Sequence, residues 1–210
     1  MLPAKHFYMI RHGETEANKA EIMAGSMDSP LTEKGRAQAK VVQSIVKALD
    51  IKPKVIVHSH LSRARDTAMI INEGINVPLY EDKDVAELHA GDWEGVSYDE
   101  CRELLKGWAT PPNGESFAQF CKRLQRGKTH NLNKHDTPIL IVCHGGVFRG
   151  LGGIYNLRTP AIFKNCHLYE FKPAPNDKHF PWEVWTHEDE QTREKCTIFH
   201  DSEVSKEPML

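Results

Sequence analysis

The chain has 210 residues, with 27 lysines and arginines against 29 aspartates and glutamates, a formal charge of −2 with histidine neutral. That balance excludes an extended polyanion such as nucleic acid, because neutralising a run of backbone phosphates takes a clear basic excess, so any anion site must be local. At 40% hydrophobic and 27% charged residues the composition suits a globular protein of a length that buries roughly 70% of its unfolded surface.

Met1 to Ile10 carry an early Lys5 but no apolar run of signal-peptide length. No later stretch approaches the roughly 20 apolar residues of a membrane span, so a soluble, cytoplasmic protein is expected. Apolar runs then alternate with amphipathic stretches, the pattern of βαβ units around a mostly parallel central sheet. The first strand is expected over 6–10. After a Gly-, Ser- and Asp-rich loop, Ala37, Val41, Ile45 and Ala48 fall at helical spacing, predicting a helix from Glu33 to Leu49 with Thr32 as N-cap. Val55 to Val57 reads as a short strand. Ala64, Ala68 and Ile71 mark a second helix, and Val77 to Tyr80 a further strand.

Ser97 to Ala109 is expected to be helical and Pro111 to Gly114 to interrupt it. Ser116, with Gln119 three residues on, has the form of a capping box opening a third long helix. Ile139 to Cys143 is a continuous apolar run between Pro138 and Gly145, the signature of a strand buried on both faces. Leu168 to Phe171 and Trp182 to Trp185 alternate like edge or antiparallel strands. Residues 1–190 are read as one domain and 191–210 as a poorly ordered tail, with the segment after Pro173 a candidate for an edge strand and a lid over the site. The five cysteines lack any C-x-x-C pair and are expected to be reduced thiols, Cys143 as an inert buried residue.

Chemistry concentrates at strand ends. The first strand runs into Arg11-His12-Gly13-Glu14-Thr15, and the buried strand ends in Cys143-His144-Gly145-Gly146. Two imidazoles are thus delivered to one edge of the sheet, where ligands of open α/β sheets bind. Between them Ser59 to Ala68 places Arg63 at the start of a helix. His58 and His60 form an H-x-H pair, but no partner stands at zinc-like spacing, so no metal is expected. The other histidines have no motif context, and Arg65 reads as a solvated charge.

R-H-G-E-T at the first strand, S-x-L-x-R-A-x-x-T-A after the second, the late H-G-G, and Glu87-Leu88-His89-Ala90-Gly91-Asp92-Trp93-Glu94-Gly95 together resemble the histidine phosphatase superfamily, in its phosphoglycerate mutase-like branch. The resemblance spans about residues 6–171 and implies a three-layer α/β/α sandwich. It also implies roles: His12 as the nucleophile that becomes a phosphohistidine, Arg11 and Arg63 as forked phosphate donors, and His144 as a further donor, protonated beside a dianion. Glu87 is implied as the general acid and then base. Asn18, Gly25 and the Gly145 backbone N–H are implied to bind substrate or phosphate, and Trp93 and Glu94 to shape the Glu87 loop.

The resemblance leaves a small phosphorylated metabolite as the partner, with no metal or cofactor. Relatives with mutase activity carry a threonine before the loop glycine, where this chain has Ala24-Gly25, and a long insert with paired arginines, where this chain has only Ser97 to Gly114 with Arg102. A phosphatase is therefore expected ahead of a mutase, which alone would require 2,3-bisphosphoglycerate. A non-catalytic phospho-ligand or protein-binding relative is the alternative of another class, disfavoured by the intact Arg11, His12, Arg63, Glu87 and His144. Either a monomer or a homodimer is compatible with the sequence.

Overall fold

The structure, a computed structural model, describes residues 1–104, 109–160, 162–174, 176–177 and 179–201. Four strands run parallel: β1 (Phe7–Arg11), β2 (Val55–His58), β3 (Leu79–Glu81) and β4 (Ile139–Cys143). Three more, β6 (Leu168–Pro173), β7 (Trp182–His187) and β8 (Arg193–Lys195), extend the sheet antiparallel from β1. The order is β3-β2-β4-β1-β6-β7-β8, a mixed seven-stranded sheet, and β5 (Leu157–Arg158) pairs separately with β9 (His200–Asp201).

Side-chain alternation along the strands divides the core in two. Phe7, Met9, Val57, Ile139 and Ile141 join one buried cluster with Phe120, Leu124, Phe148 and Leu151, contributed by helices α5 (Phe117–Lys134) and α6 (Gly145–Ile154). Tyr8, Ile10, Ile56, Leu140 and Val142 join the other with Val42, Ile45, Ala64, Ala68 and Ile71, from helices α2 (Glu33–Ala48) and α3 (Ser62–Asn72). Helices therefore cover both faces, and every β4 residue is buried, which is why that strand reads as an unbroken apolar run.

The local signals act as their chemistry predicts. Thr32 caps α2 by accepting from the Gly35 N–H (3.0 Å), and Ser116 and Gln119 close the α5 capping box with bonds of 3.2 and 2.8 Å. The short helix α1 (Glu16–Lys19) is capped by Thr15 and Asn18 in the same manner. Of the helix expected over 97–109, the described residues show α4 (Tyr98–Leu104), and residues 105–108 lie outside the described residues.

Two features follow from tertiary packing. Residues 145–154, Gly-Gly-Val-Phe-Arg-Gly-Leu-Gly-Gly-Ile, have poor helix propensity, yet they form α6. A Cβ on Gly150 would lie 2.2 Å from a Leu124 methyl, so glycine lets α6 pack directly on α5. Within the segment read as a poorly ordered tail, residues 193–195 and 200–201 form β8 and β9, and the Phe199 and Phe180 rings lie 4.7 Å apart, tilted. Those residues pad the antiparallel end of the sheet, so the expected lid finds no counterpart up to Asp201; residues 202–210 lie outside the described residues. All five cysteines are free. Among the described residues no helix is long and apolar enough to cross a membrane, and no group of His, Cys, Asp and Glu is disposed to hold a metal ion.

Candidate active site

Register brings the candidate residues together. Arg11 pairs with Cys143 and His58 with Val142, so β1, β2 and β4 end level with one another. The ladder runs one residue further, with the His12 N–H donating to the Cys143 carbonyl at 2.9 Å. Gly13 then crosses the first turn of α2 at close range. A Cβ on Gly13 would lie 2.4 Å from the Gly35 carbonyl oxygen, and one on Gly35 2.0 Å from that of Glu14. Two facing glycines thus hold His12 at the mouth of the crevice.

A cavity of about 320 Å³ opens there, and Arg11, His12, Asn18, Gly25, Arg63, Glu87 and Gly145 all line it. His144 is wholly buried beside His12, the two rings 5.1 Å apart.

The nitrogens of both histidines can be assigned from their neighbours. His12 Nδ1 lies 2.7 Å from the Gly13 carbonyl oxygen, which only accepts, so Nδ1 carries the proton and Nε2 keeps a free lone pair. Burial, then Arg11 and Arg63, hold its pKa well below the usual histidine value. His144 Nδ1 accepts from Arg63 Nε at 3.2 Å, so its proton sits on Nε2, a buried atom without a hydrogen-bond partner. Burial, Arg63 and His12 lower the His144 pKa as well. Burial and Arg63 thus favour a neutral His144 that donates through Nε2–H, whereas the expectation of a protonated ring concerns His144 beside a bound dianion.

Arg63, only 2% exposed, donates from its terminal nitrogens to the carbonyls of Gly25 (2.7 Å) and Met27 (2.9 Å). Three of its five N–H groups are so held, and the other two are open to a ligand in the cavity. Gly25 has φ +53°, which turns its carbonyl toward Arg63, and a Cβ there would strike Glu94 Oε1 at 2.6 Å. That oxygen accepts from the Ser26 N–H and Oγ (both 2.7 Å) and the Ala90 N–H (3.1 Å), clamping loop 24–27 to the segment bearing Glu87. Arg11 donates to the Phe163 carbonyl at 2.6 Å, while its buried Nε has no partner.

Glu87 accepts from two backbone N–H groups, Leu88 at 2.9 Å and Gly146 at 3.0 Å. The second of these donors, Gly146, was not singled out in the sequence, and a Cβ on it would lie 2.1 Å from Glu87 Oε1. The glycine pair of H-G-G was the visible signal. Asn18 gives its amide N–H to the Tyr98 hydroxyl (2.9 Å) and accepts from Thr15 and Asn165.

Other supports had no sequence signal. Arg123, from α5, donates to the carbonyls of Lys83, Asp84, Ala86 and Glu87 at 3.0–3.3 Å and pairs with Glu115, fixing the backbone that carries Glu87. Asp28 accepts from the Ser62 N–H and Oγ, capping α3 beside Arg63. Arg149 also lines the cavity, where Glu87 partly offsets the effect of its burial. Arg65 is exposed and pairs with Asp66. Burial pushes the Cys143 thiol up to about 12, as suits an unreactive residue.

A family model described as histidine phosphatase superfamily (branch 1) matches residues 7–180. The chain belongs to this superfamily. Among curated members, the adenosylcobalamin/alpha-ribazole phosphatase of Salmonella typhimurium is 36% identical over 151 residues, covering 67% of this chain and 74% of that protein. A Cronobacter sakazakii protein named probable phosphoglycerate mutase GpmB is 38% identical over 149 residues, covering 66% of this chain and 68% of its own length. The solved structure of Bacillus stearothermophilus YhfR superposes with a TM-score of 0.73 at 29% identity, covering 88% of this chain and 96% of that one. The superfamily member described here thus has the phosphoglycerate mutase-like fold around its cavity.

Proposed function

We propose that the protein is a phosphomonoesterase that transfers the phosphoryl group of a small metabolite to His12 Nε2 and then to water. The observation that carries this reading is the His12 Nδ1–H bond to the Gly13 carbonyl, which leaves Nε2 unprotonated in a cavity shared with Arg11, Arg63 and Glu87. Nε2 attacks phosphorus, the P–N bond forms, and the ester P–O bond breaks. Glu87, as the acid, delivers its proton to the departing oxygen. As the carboxylate it then takes a proton from water, which attacks phosphohistidine and releases inorganic phosphate. The free N–H groups of Arg11 and Arg63, with His144 Nε2–H, stabilise charge on the equatorial oxygens. Asn18, the turned-out Gly25 loop and the Gly145 backbone position the ester.

A phosphatase named among the relatives supports the hydrolytic reading, as do the short segment after Glu87 and the single further arginine, Arg149, in the cavity lining. The likeness to a protein named as a mutase keeps a second reading in view. Incubation with a ³²P-labelled phosphomonoester and a rapid quench should leave acid-labile, base-stable label on the protein. Label persisting in His12→Ala would refute the assignment. Interconversion of 3- and 2-phosphoglycerate with 2,3-bisphosphoglycerate, faster than either substrate loses phosphate, would establish the mutase instead.

A further inference from the structure

The cavity lining combines two chemistries. Arg11 and Arg63 supply cationic groups, and Met23, Leu88, Tyr98, Phe117 and Ile162 supply aliphatic and aromatic surface in the same cavity as Glu87. Ile162 is 78% exposed and Tyr98 37%, an unusual placing of large apolar side chains at a cavity rim unless a ligand covers them. The Tyr98 hydroxyl accepts from Asn18, whose own oxygen accepts from Thr15 and Asn165. Arg149 lies near the Glu87 carboxylate, which raises its pKa against the effect of burial. A polyol set against the apolar part of the lining would exchange water for aliphatic and aromatic carbon.

We infer that the preferred substrates are phosphate monoesters of an apolar, aryl-bearing alcohol rather than of a sugar or a hydroxy acid. This rests on the phosphatase reading and adds to it the class of the alcohol. Covering the ring of such an alcohol against Leu88, Phe117 and Ile162 removes apolar surface from water in a step a polyol cannot match.

Phosphate release should be compared for 3-phenylpropyl phosphate, glycerol 1-phosphate and 3-phosphoglycerate, all alkyl esters that need protonation on leaving. The expected result is a kcat/KM at least about tenfold higher for the phenylpropyl ester, equivalent to about 1.4 kcal/mol. Leu88→Asn should cut that preference, and so should Ile162→Asn, a rim change that leaves the core untouched. Calorimetric binding of 3-phenylpropylphosphonate against 3-hydroxypropylphosphonate, which cannot be hydrolysed, should rank the same way. Efficient hydrolysis with glycerol 1-phosphate or 3-phosphoglycerate equal or preferred would overturn the apolar assignment and leave the phosphatase standing. No hydrolysis of any ester, with the phenylpropylphosphonate still bound more tightly, would refute the phosphatase and support the apolar assignment. Equal binding of the two phosphonates would overturn the inference whatever the turnover.

Discussion

Gly146→Ala is expected to disable the acid while sparing the fold. The added Cβ would stand 2.1 Å from Glu87 Oε1, and real Cβ contacts are not found under 3.0 Å, so the carboxylate must retreat by about 1 Å and weaken its 3.0 Å bond to the Gly146 N–H. The displaced atom ends a flexible side chain, and alanine is the better helix former by up to about 1 kcal/mol, so stability should hold or rise. A misplacement of about 1 Å can cost roughly 100-fold, and losing a general acid about 10²–10⁴-fold. A fall of about 100-fold in kcat on an alkyl phosphate, some 2.7 kcal/mol, is therefore expected. On p-nitrophenyl phosphate, whose leaving group needs little protonation, the fall should stay under about tenfold. Gly145→Ala is the comparison: its Cβ would meet Arg11 side-chain atoms at 3.7–3.9 Å, ordinary contacts well away from Glu87, so any loss should be shallower and equal on the two esters. Steady-state kinetics on both substrates, with thermal melts of each variant, decide the matter. Equal losses on the two esters, or a Gly145→Ala defect as deep as that of Gly146→Ala, would refute the reasoning.

Arg123→Ala removes the donors that hold the carbonyls from Lys83 to Glu87, so kcat on alkyl esters should drop about tenfold or more with KM little changed, a split that stopped-flow and steady-state assays can resolve; a pure KM effect would contradict a role in placing Glu87. His12 and His144 are held neutral below the usual histidine pKa, so below about pH 6.5 the unfolded chain binds protons that the native state does not, and stability complete above that pH is lost by up to about 1.4 kcal/mol per pH unit for each histidine. Urea titrations of a His12→Asn/His144→Asn double variant should show a shallower loss from pH 7 to 5.5 than the parent, and an unchanged slope would count against both assignments. Lys128 is wholly buried, 3.0 Å from Met9 Sδ, and burial lowers its pKa to about 8. Against an unfolded value of about 10.5, keeping it charged near pH 7 costs up to about 3 kcal/mol. Lys128→Met should therefore stabilise the protein at pH 7, with the gain shrinking toward pH 10 as the parent lysine loses its proton; a gain independent of pH, or a loss at pH 7, would refute this.

Much of the architecture was legible because its signals are local. Thr32 and Ser116 cap helices with partners three residues away, and the β4 run is apolar because both of its faces are covered. The same holds for the cavity: Arg11, His12, Arg63 and Glu87 stand in contiguous motifs, and parallel register needs only strands of similar length to bring their ends level. Helix α6 was not legible, since five glycines in ten residues argue against a helix until the close approach to α5 requires them.

By itself the sequence determined most of the longer strands and helices and the superfamily, because each is written in neighbouring residues. Only the tertiary structure decided that burial and Arg63 disfavour charge on His144, that the Gly146 N–H holds Glu87, that Arg123 secures the Glu87 backbone, and that residues 193–199 pad the sheet. Those properties arise from burial and from contacts between residues far apart in the chain. A net charge of −2 says little about the local field, since Arg11 and the buried Arg63 stand beside two histidines whose pKa values burial lowers.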